Sequence, residues 1–486
     1  MNKSRRNFLK KLPLAMSLPF TIGGLPFKAM GENMLSKMAK MAKNNKVLVI
    51  LQMHGGNDGL NCVVPIAKYS EYFNGRPNIA IPTPNKTRGY INLDSTLPDL
   101  SQIGLHPDMQ AMKHLYDTGQ MTVVQGVSYP DNNGSHFRGR DIWFMGGGAN
   151  DYMDSGWLGR YLAHEYAGTN DLKYPEDFPN ADMEDPLALE IGNDTSLIFH
   201  QHDSIPTSIS LYSIPGFSDL VLDELEGFED EILEILDNRG IPPAALNGSP
   251  YQKEMDWILS LEDKSKDYAG ILLKRYNEGK ASTVTYPDLY PYNAPSGSLH
   301  NPLSHQLKMV ARLLAGKCKT KVFLVKIGGF DTHADQVEKY DPTMGGHAAL
   351  MYHISTAMAA FQKDLKSRGL ENDVLTVTTS EFGRRVNSNA SYGTDHGTAG
   401  PLFIFGKGAR GGVIGEAYKL DNGNLALQVD YRNVYANILR DWFEVEDDKL
   451  NIIFPDASPA APVGQGLMNA GTSDVTTFVV LPLAST

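Results

Sequence analysis

The sequence predicts an α/β protein: a mostly parallel central sheet with helices on both faces. Two observations carry this expectation. Short β-rich apolar runs recur along the chain, and several are apolar at consecutive positions, as in strands covered on both faces. Segments with helical apolar spacing lie between them, and strands alternating with helices favour a largely parallel sheet.

The N-terminus reads "MNKSRRNFLKKLPLAMSLPFTIGGLPF", basic residues first and then a moderately apolar stretch from Leu12 to Phe27. That order marks a targeting segment that is no part of the fold. Its start, "SRRNFLK", resembles the twin-arginine export signal, with Arg5 and Arg6 as the pair. Residues 1–43 are therefore assigned to signal and leader, and the expected location is the periplasm or cell surface. The apolar stretch is interrupted by prolines and glycines and is short for a membrane span, so the mature form is expected to have none.

The strand candidates of a 44–455 domain follow. They are "KVLVILQ" at 46–52, "MTVVQG" at 121–126, "LALEIG" at 187–192, "KVFLVKI" at 321–327, "DVLTVTT" at 373–379 and "PLFIFG" at 401–406. Helical patterns cover 107–119, 301–317, 345–369 and 431–443, with Pro302 at a first turn and Gly119, Gly316 and Gly369 as stops. Residues 218–280, with "DLVLDELEGFEDEILEIL", read as an acidic helical insertion whose charges form a solvated face. A Pro-, Tyr- and Ser-rich loop follows at 281–300, and 456–486 reads as a loosely packed tail.

The chain of 486 residues is long enough for a large core. With 42% apolar and 21% charged residues it has the composition of a soluble globular protein. A net charge of -12 speaks against a nucleic-acid partner, because a polyanion is repelled. Cys62 and Cys318 make no disulfide framework and are expected to be free and buried.

In open α/β sheets ligands bind beyond the carboxyl ends of the strands, so the residues that follow each strand are the candidates. They are His54, Asn57 and Asp58 after 46–52, and Ser135, His136 and Arg138 after 121–126. Asp331 and His333, in "GGFDTH", follow 321–327; Ser380, Glu381 and Arg384 follow 373–379. Asp395 and His396 precede 401–406, so that strand is a candidate to run antiparallel. Each cluster alone has a plain structural reading: a glycine turn, a Ser helix cap, an exposed strand end. Together they supply carboxylates and imidazoles, the ligand set of a divalent metal such as zinc, with manganese or iron as alternatives. Asp331 and His333 are alternate residues of an extended segment and point the same way, whereas Asp395 and His396 share one ion only across a bend.

"LQMHGGNDGLNCVVP", "LHPDM", "YPDNNGSHF", "GWLGRYL", "GGFDTH", "SEFGRR" and "TDHGTAGPLFIFG" resemble, in combination, the domain of unknown function 1501 family of exported bacterial proteins. That family is distantly similar to the alkaline phosphatase and sulfatase superfamily. The resemblance implies an alkaline phosphatase-like sandwich with metal ligands at strand ends. It would make Asp58 the first metal aspartate, Asp331 and His333 the second pair, and His396 the last ligand histidine. Glu381 would stand for the aspartate of a Ser-Asp-His-Gly motif. Phe382 then replaces that motif's histidine, which puts a second ion in doubt. No C/S-x-P-x-R sequence is present, which speaks against the formylglycine route of most sulfatases.

The expectation is thus an exported metal-dependent hydrolase of phosphate or sulfate esters, small-molecule or glycan. Ser135, His136 and Arg384 are its catalytic candidates, and Asp58, Asp331, His333, Glu381, Asp395 and His396 its metal ligands. Ser135 or water at the metal would attack, and Arg384 would hold a substrate oxygen, ahead of Arg138 or Arg385. The rival is a non-catalytic, metal-stabilised binding or assembly protein, with an exported partner of the domain of unknown function 1800 family. A cofactor-binding oxidoreductase ranks below both, since no G-x-G-x-x-G follows a strand.

Overall fold

The computed structural model describes residues 45–166, 183–192, 196–201 and 270–455, with the backbone of short strands at 21–22, 25–26 and 209–211. The twin-arginine pair, the 456–486 tail and the 218–280 insertion up to residue 269 lie outside the described residues.

A nine-stranded sheet forms the centre. Its strands are β1 (Val47–Met53), β2 (Met121–Ser128), β3 (Ala188–Ile191), β4 (Ile209–Leu211), β5 (Val322–Ile327), β6 (Val374–Thr379), β7 (Gly400–Phe405), β8 (Gly412–Ile414) and β9 (Val429–Asp430). They lie in the order β8-β2-β7-β6-β1-β5-β3-β4, with β9 also on β2. β1 pairs in parallel with β5 and β6, and among the described strands of this sheet β7 alone runs against its neighbours, β6 and β2.

Both faces are covered, and the residues of β1 show how. All seven are buried. Val47, Val49, Leu51 and Met53 join one core, with α1 (Gln110–Asp117), α4 (Pro302–Ala315) and α5 (Gly346–Ser367). Leu48 and Ile50 join the other, with α2 (His136–Met145), α3 (Trp157–Tyr166) and α6 (Tyr431–Asn437). Each Leu, Ile or Val so buried contributes about 1.5–3 kcal/mol, which is why the strand carries no polar alternation. The helices begin where their caps place them. Asn301 accepts from Leu303 N and Ser304 N ahead of Pro302, and the pattern read at 107–119 opens as a 3-10 turn, Pro107–Met109, before α1. Cys62 and Cys318 are free and buried.

This topology sets the site. The carboxyl ends of β1, β2, β5 and β6 share one edge of the sheet, and antiparallel β7 begins at that same edge. The polar segments beyond those strands therefore meet although they are up to hundreds of residues apart in sequence.

Candidate metal centre

Asp331 and His333 lie beyond the end of β5. Between them Thr332 points inward, where its hydroxyl donates to Gln336 Oε1 at 2.8 Å. Its neighbours on either side therefore face out, as the alternation of an extended segment requires. His396 ends the ribbon formed by Arg384–Ser388 and Thr394–His396, just before β7. His136 is the first residue of α2, capped by Ser135, whose hydroxyl accepts from Arg138 N at 3.5 Å.

Side-chain atoms of His136, Asp331, His333 and His396 all fall within 4.8 Å of one another. Asp331 Oδ1 is the hub: it lies 3.3 Å from His136 Nε2, 3.3 Å from His333 Nε2 and 3.5 Å from His396 Nε2. The Nε2 atoms of His333 and His396 are 2.7 Å apart. Ligand atoms around a tetrahedral zinc stand ~3.3 Å apart, given bonds of ~2.0 Å; the spacings about Asp331 Oδ1 match this, and the His333–His396 pair, nearer at 2.7 Å, would have to part to admit an ion. The outer nitrogens are engaged as ligand imidazoles need. His396 Nδ1 donates to Gly134 O at 2.7 Å, and His333 Nδ1 faces Asp395 Oδ1 at 3.5 Å. Each leaves Nε2 toward the centre. The centre is open, with the Asp331 side chain 51% and His333 46% exposed.

Electrostatics set the protonation states. Burial pushes Asp331 up, but the hydrogen bond and charge of Arg384, then His136 and His396, outweigh it and bring the carboxyl down to about 2. Burial, against the pull of Gly134 O, lowers His396, and the Arg384 and His136 charges add to that. An ionised carboxylate and a neutral imidazole are the forms that bind metal.

The structure gives five sequence candidates other places. Asp58 is buried; Arg76 Nη1 donates to its Oδ1 at 2.8 Å and its Oδ2 at 2.7 Å, and Gln336 Nε2 donates to Oδ2 at 2.6 Å, so both carboxylate oxygens are taken and it stands outside the cluster. It is the root of a scaffold: Gln336 also accepts from Thr332 and Thr394, beside the clustered residues, and Arg76 donates to Arg385 O and Val386 O on the ribbon. Glu381 is likewise outside the cluster. It accepts from Gly55 N and Gly56 N, each at 3.0 Å, and meets His54 Nδ1 at 2.6 Å. Arg384 is sealed, its guanidinium donating to Gly55 O, Gly56 O, Phe330 O, Thr394 O and Asp331 Oδ1. With no exposed surface, its guanidinium is turned to Asp331 and to backbone carbonyls. His136, read from sequence as a catalytic group, stands among the ligand atoms instead, and Asp395 stands behind His333.

Sequence reasoning passed over Phe382 as a mere loss. Its ring packs on His396 at 4.3 Å and His136 at 4.9 Å between centroids, so it is an apolar wall that fixes two of the imidazoles. The double glycine 55–56 carries a signal too. Gly55 sits at φ +121°, where a Cβ would come within 2.4 Å of Asp331 N; at Gly56 it would come within 2.4 Å of the Phe382 ring. Only glycine lets the turn after β1 touch both.

Residues 286–444 match the family model of a protein of unknown function, DUF1501. That stretch contains Asp331, His333 and His396, three of the four clustered residues. No curated protein matches the chain. Solved structures similar to it include the PsFucS1 sulfatase from Pseudoalteromonas sp., at 13% identity and a TM-score of 0.35, covering 87% of this chain and 74% of that one. A protein in the alkaline phosphatase superfamily from Vibrio parahaemolyticus has 9% identity and a TM-score of 0.33, with coverages of 82% and 66%. The C-terminal periplasmic domain of EcEptC from Escherichia coli, in complex with Zn, has 9% identity and a TM-score of 0.29, with coverages of 75% and 73%.

Proposed function

We propose that this chain is an exported, metal-dependent hydrolase of phosphate or sulfate esters. The observation that carries the reading is the convergence of Asp331 Oδ1 with the Nε2 atoms of His136, His333 and His396 at an open sheet edge. Zinc suits this donor set best, with manganese or iron as alternatives. When bound, the ion would neutralise and polarise the oxygens of the ester.

The chain supplies the rest. Arg384 keeps Asp331 ionised and aimed, and Phe382 keeps water from one side of the His136 and His396 rings. Ser135, exposed at the start of α2 and next to His136, is the candidate attacking group, with water as the alternative. The N-terminal end of α2 favours a bound anion. Export rests on Arg5 and Arg6, and the substrate class, small-molecule or glycan, on the openness of the centre.

The second reading is a metal-stabilised binding or assembly protein, with an exported partner of the domain of unknown function 1800 family. The apolar Phe382 and the sealed Arg384 favour it, since neither serves a substrate. Elemental analysis of the purified protein, followed by a panel of phosphate and sulfate esters, separates the two. Bound metal with turnover supports the hydrolase; bound metal without turnover on any ester leaves the assembly reading; no bound metal overturns both.

A further inference from the structure

Beside the cluster stands a pair that the proposed reaction has not used. Glu381 is buried, and besides its two bonds from Gly55 N and Gly56 N it meets His54 Nδ1 at 2.6 Å. An ionised carboxylate only accepts, so Nδ1 carries the hydrogen of that bond. Nε2 is then the atom left for proton exchange. The His54 side chain is 49% exposed, and among the described residues nothing bonds its Nε2.

His54 belongs to the rim of the same site. It follows β1, and its carbonyl accepts from Phe330 N at 3.2 Å, one residue before Asp331. Arg384 ties the two turns together, donating to Gly55 O and to Asp331 Oδ1. From the other flank a single dipeptide serves both parts: Glu381 holds His54, and Phe382 packs on the rings of His136 and His396. A carboxylate needed only to cap the glycine turn is satisfied by Gly55 N and Gly56 N. A half-exposed imidazole added to it beside an open centre has the arrangement of an oriented proton donor.

We propose that His54 is a further catalytic residue: aimed by Glu381, it gives its Nε2 proton to the departing oxygen of the ester. The proposal rests on the hydrolase reading. In the step, the bond from phosphorus or sulfur to the ester oxygen breaks, its electron pair leaves on that oxygen, and the oxygen takes the proton from His54. The water whose oxygen joins phosphorus or sulfur gives up a proton that restores His54, so one ester and one water become one alcohol and one inorganic anion. The groups facing His54 are Glu381, Arg140 on α2 and Lys326 on β5. Its hydrogen bond to Glu381 raises its pKa; burial, Arg140 and Lys326 oppose this, and the balance stays above the ordinary value. The protonated donor therefore persists further toward neutral pH than a free histidine.

The test compares leaving groups in the full chain loaded with zinc. 4-Nitrophenolate departs unprotonated, whereas the alcohol of glucose 6-phosphate or glucose 6-sulfate needs a proton. In His54→Gln, metal content holds and the ratio of glucose-ester to 4-nitrophenyl-ester turnover falls by about 100-fold or more, the usual weight of a general acid. In the wild type, glucose-ester kcat/KM falls as pH rises through the His54 pKa read by NMR titration of the imidazole. Glu381→Gln moves that NMR pKa down. An unchanged leaving-group ratio in His54→Gln, with both esters still cleaved by the wild type, overturns the role of His54 and leaves the hydrolase standing. A metal-loaded wild type that cleaves neither ester overturns the hydrolase and this proposal with it.

Discussion

Asp331 and Asp58 are both carboxylates near strand ends, and their surroundings give them opposite work. Asp331 is half exposed and gathers three imidazoles, while Asp58 is sealed against a guanidinium. Burial raises Asp58, but the Arg76 charge, His347 and the hydrogen bonds of Arg76 and Gln336 pull it below the usual carboxylate range. Asp58→Asn would leave the Arg76 charge buried without its counter-ion, at a cost of about 3–5 kcal/mol. Urea denaturation measures that loss, and elemental analysis of the folded fraction should still find metal; loss of metal at intact stability would return Asp58 to the ligand set. His347 makes a second residue-scale prediction. It is buried, with Nε2 at 3.1 Å from Asn57 Oδ1, and burial, against the pull of Asp58, brings its pKa down to about 4. The unfolded chain binds this proton below about 6.5 and the folded one only below about 4. Stability therefore falls as pH drops through that window, by about 3 kcal/mol from this group. His347→Gln should flatten the difference between denaturation midpoints at pH 7 and pH 4.5; an undiminished slope would assign the acid sensitivity elsewhere.

At the scale of elements, α2 joins a helix start to the site. Ser135→Ala removes the cap and should cost about 1 kcal/mol or less, given the long bond to Arg138 N. Metal content should not change. If ester turnover disappears with so small a loss of stability, Ser135 is the attacking group; full turnover assigns that role to water. What the sequence revealed follows the same division between local and distant causes. β1, β5 and β6 were legible because strands buried on both faces carry apolar residues at consecutive positions, as in Val47–Leu51, Val322–Val325 and Val374–Leu375. Asp331 and His333 were legible as a pair because alternate residues beyond a strand end share a face. His136 was placed beyond the right strand but given another role. Its reach into the cluster depends on how α2 packs against the sheet, as the first residue of a helix points back over its own N-terminus. The partners of Asp58, Glu381 and Arg384 were not legible: the Arg384 to Gly55 bond spans 329 positions and the Glu381 bond to Gly55 spans 326. No local pattern reports which of several buried carboxylates a guanidinium will take.

For the whole molecule the question is how many ions the edge of this sheet holds. The four-residue cluster supplies one complete donor set. A second set would have to draw on Asp58, Glu381 and position 382. Asp58 is committed to Arg76, Glu381 to His54 and two backbone N–H groups, and position 382 is a phenylalanine. We therefore expect one ion per chain. Because it ties the turns after β2 and β5 and the segment before β7 to one another, it should stabilise the native state. An excess of free ion at 100 times its dissociation constant corresponds to about 2.7 kcal/mol. An imidazole binds metal in its neutral form, so acid weakens binding. His396, lowered chiefly by burial, keeps its neutral form further into acid than an ordinary histidine. Thermal denaturation with and without a chelator, at pH 7.5 and at pH 5, reads both effects in one experiment. The stabilisation by metal should be present at the higher pH, shrink at the lower, and vanish in His396→Ala at either. Two ions per chain by elemental analysis would mean that Glu381 or Asp58 exchanges its present partner for a metal. A melting temperature unmoved by chelation would mean that hydrogen bonds alone hold these three turns together.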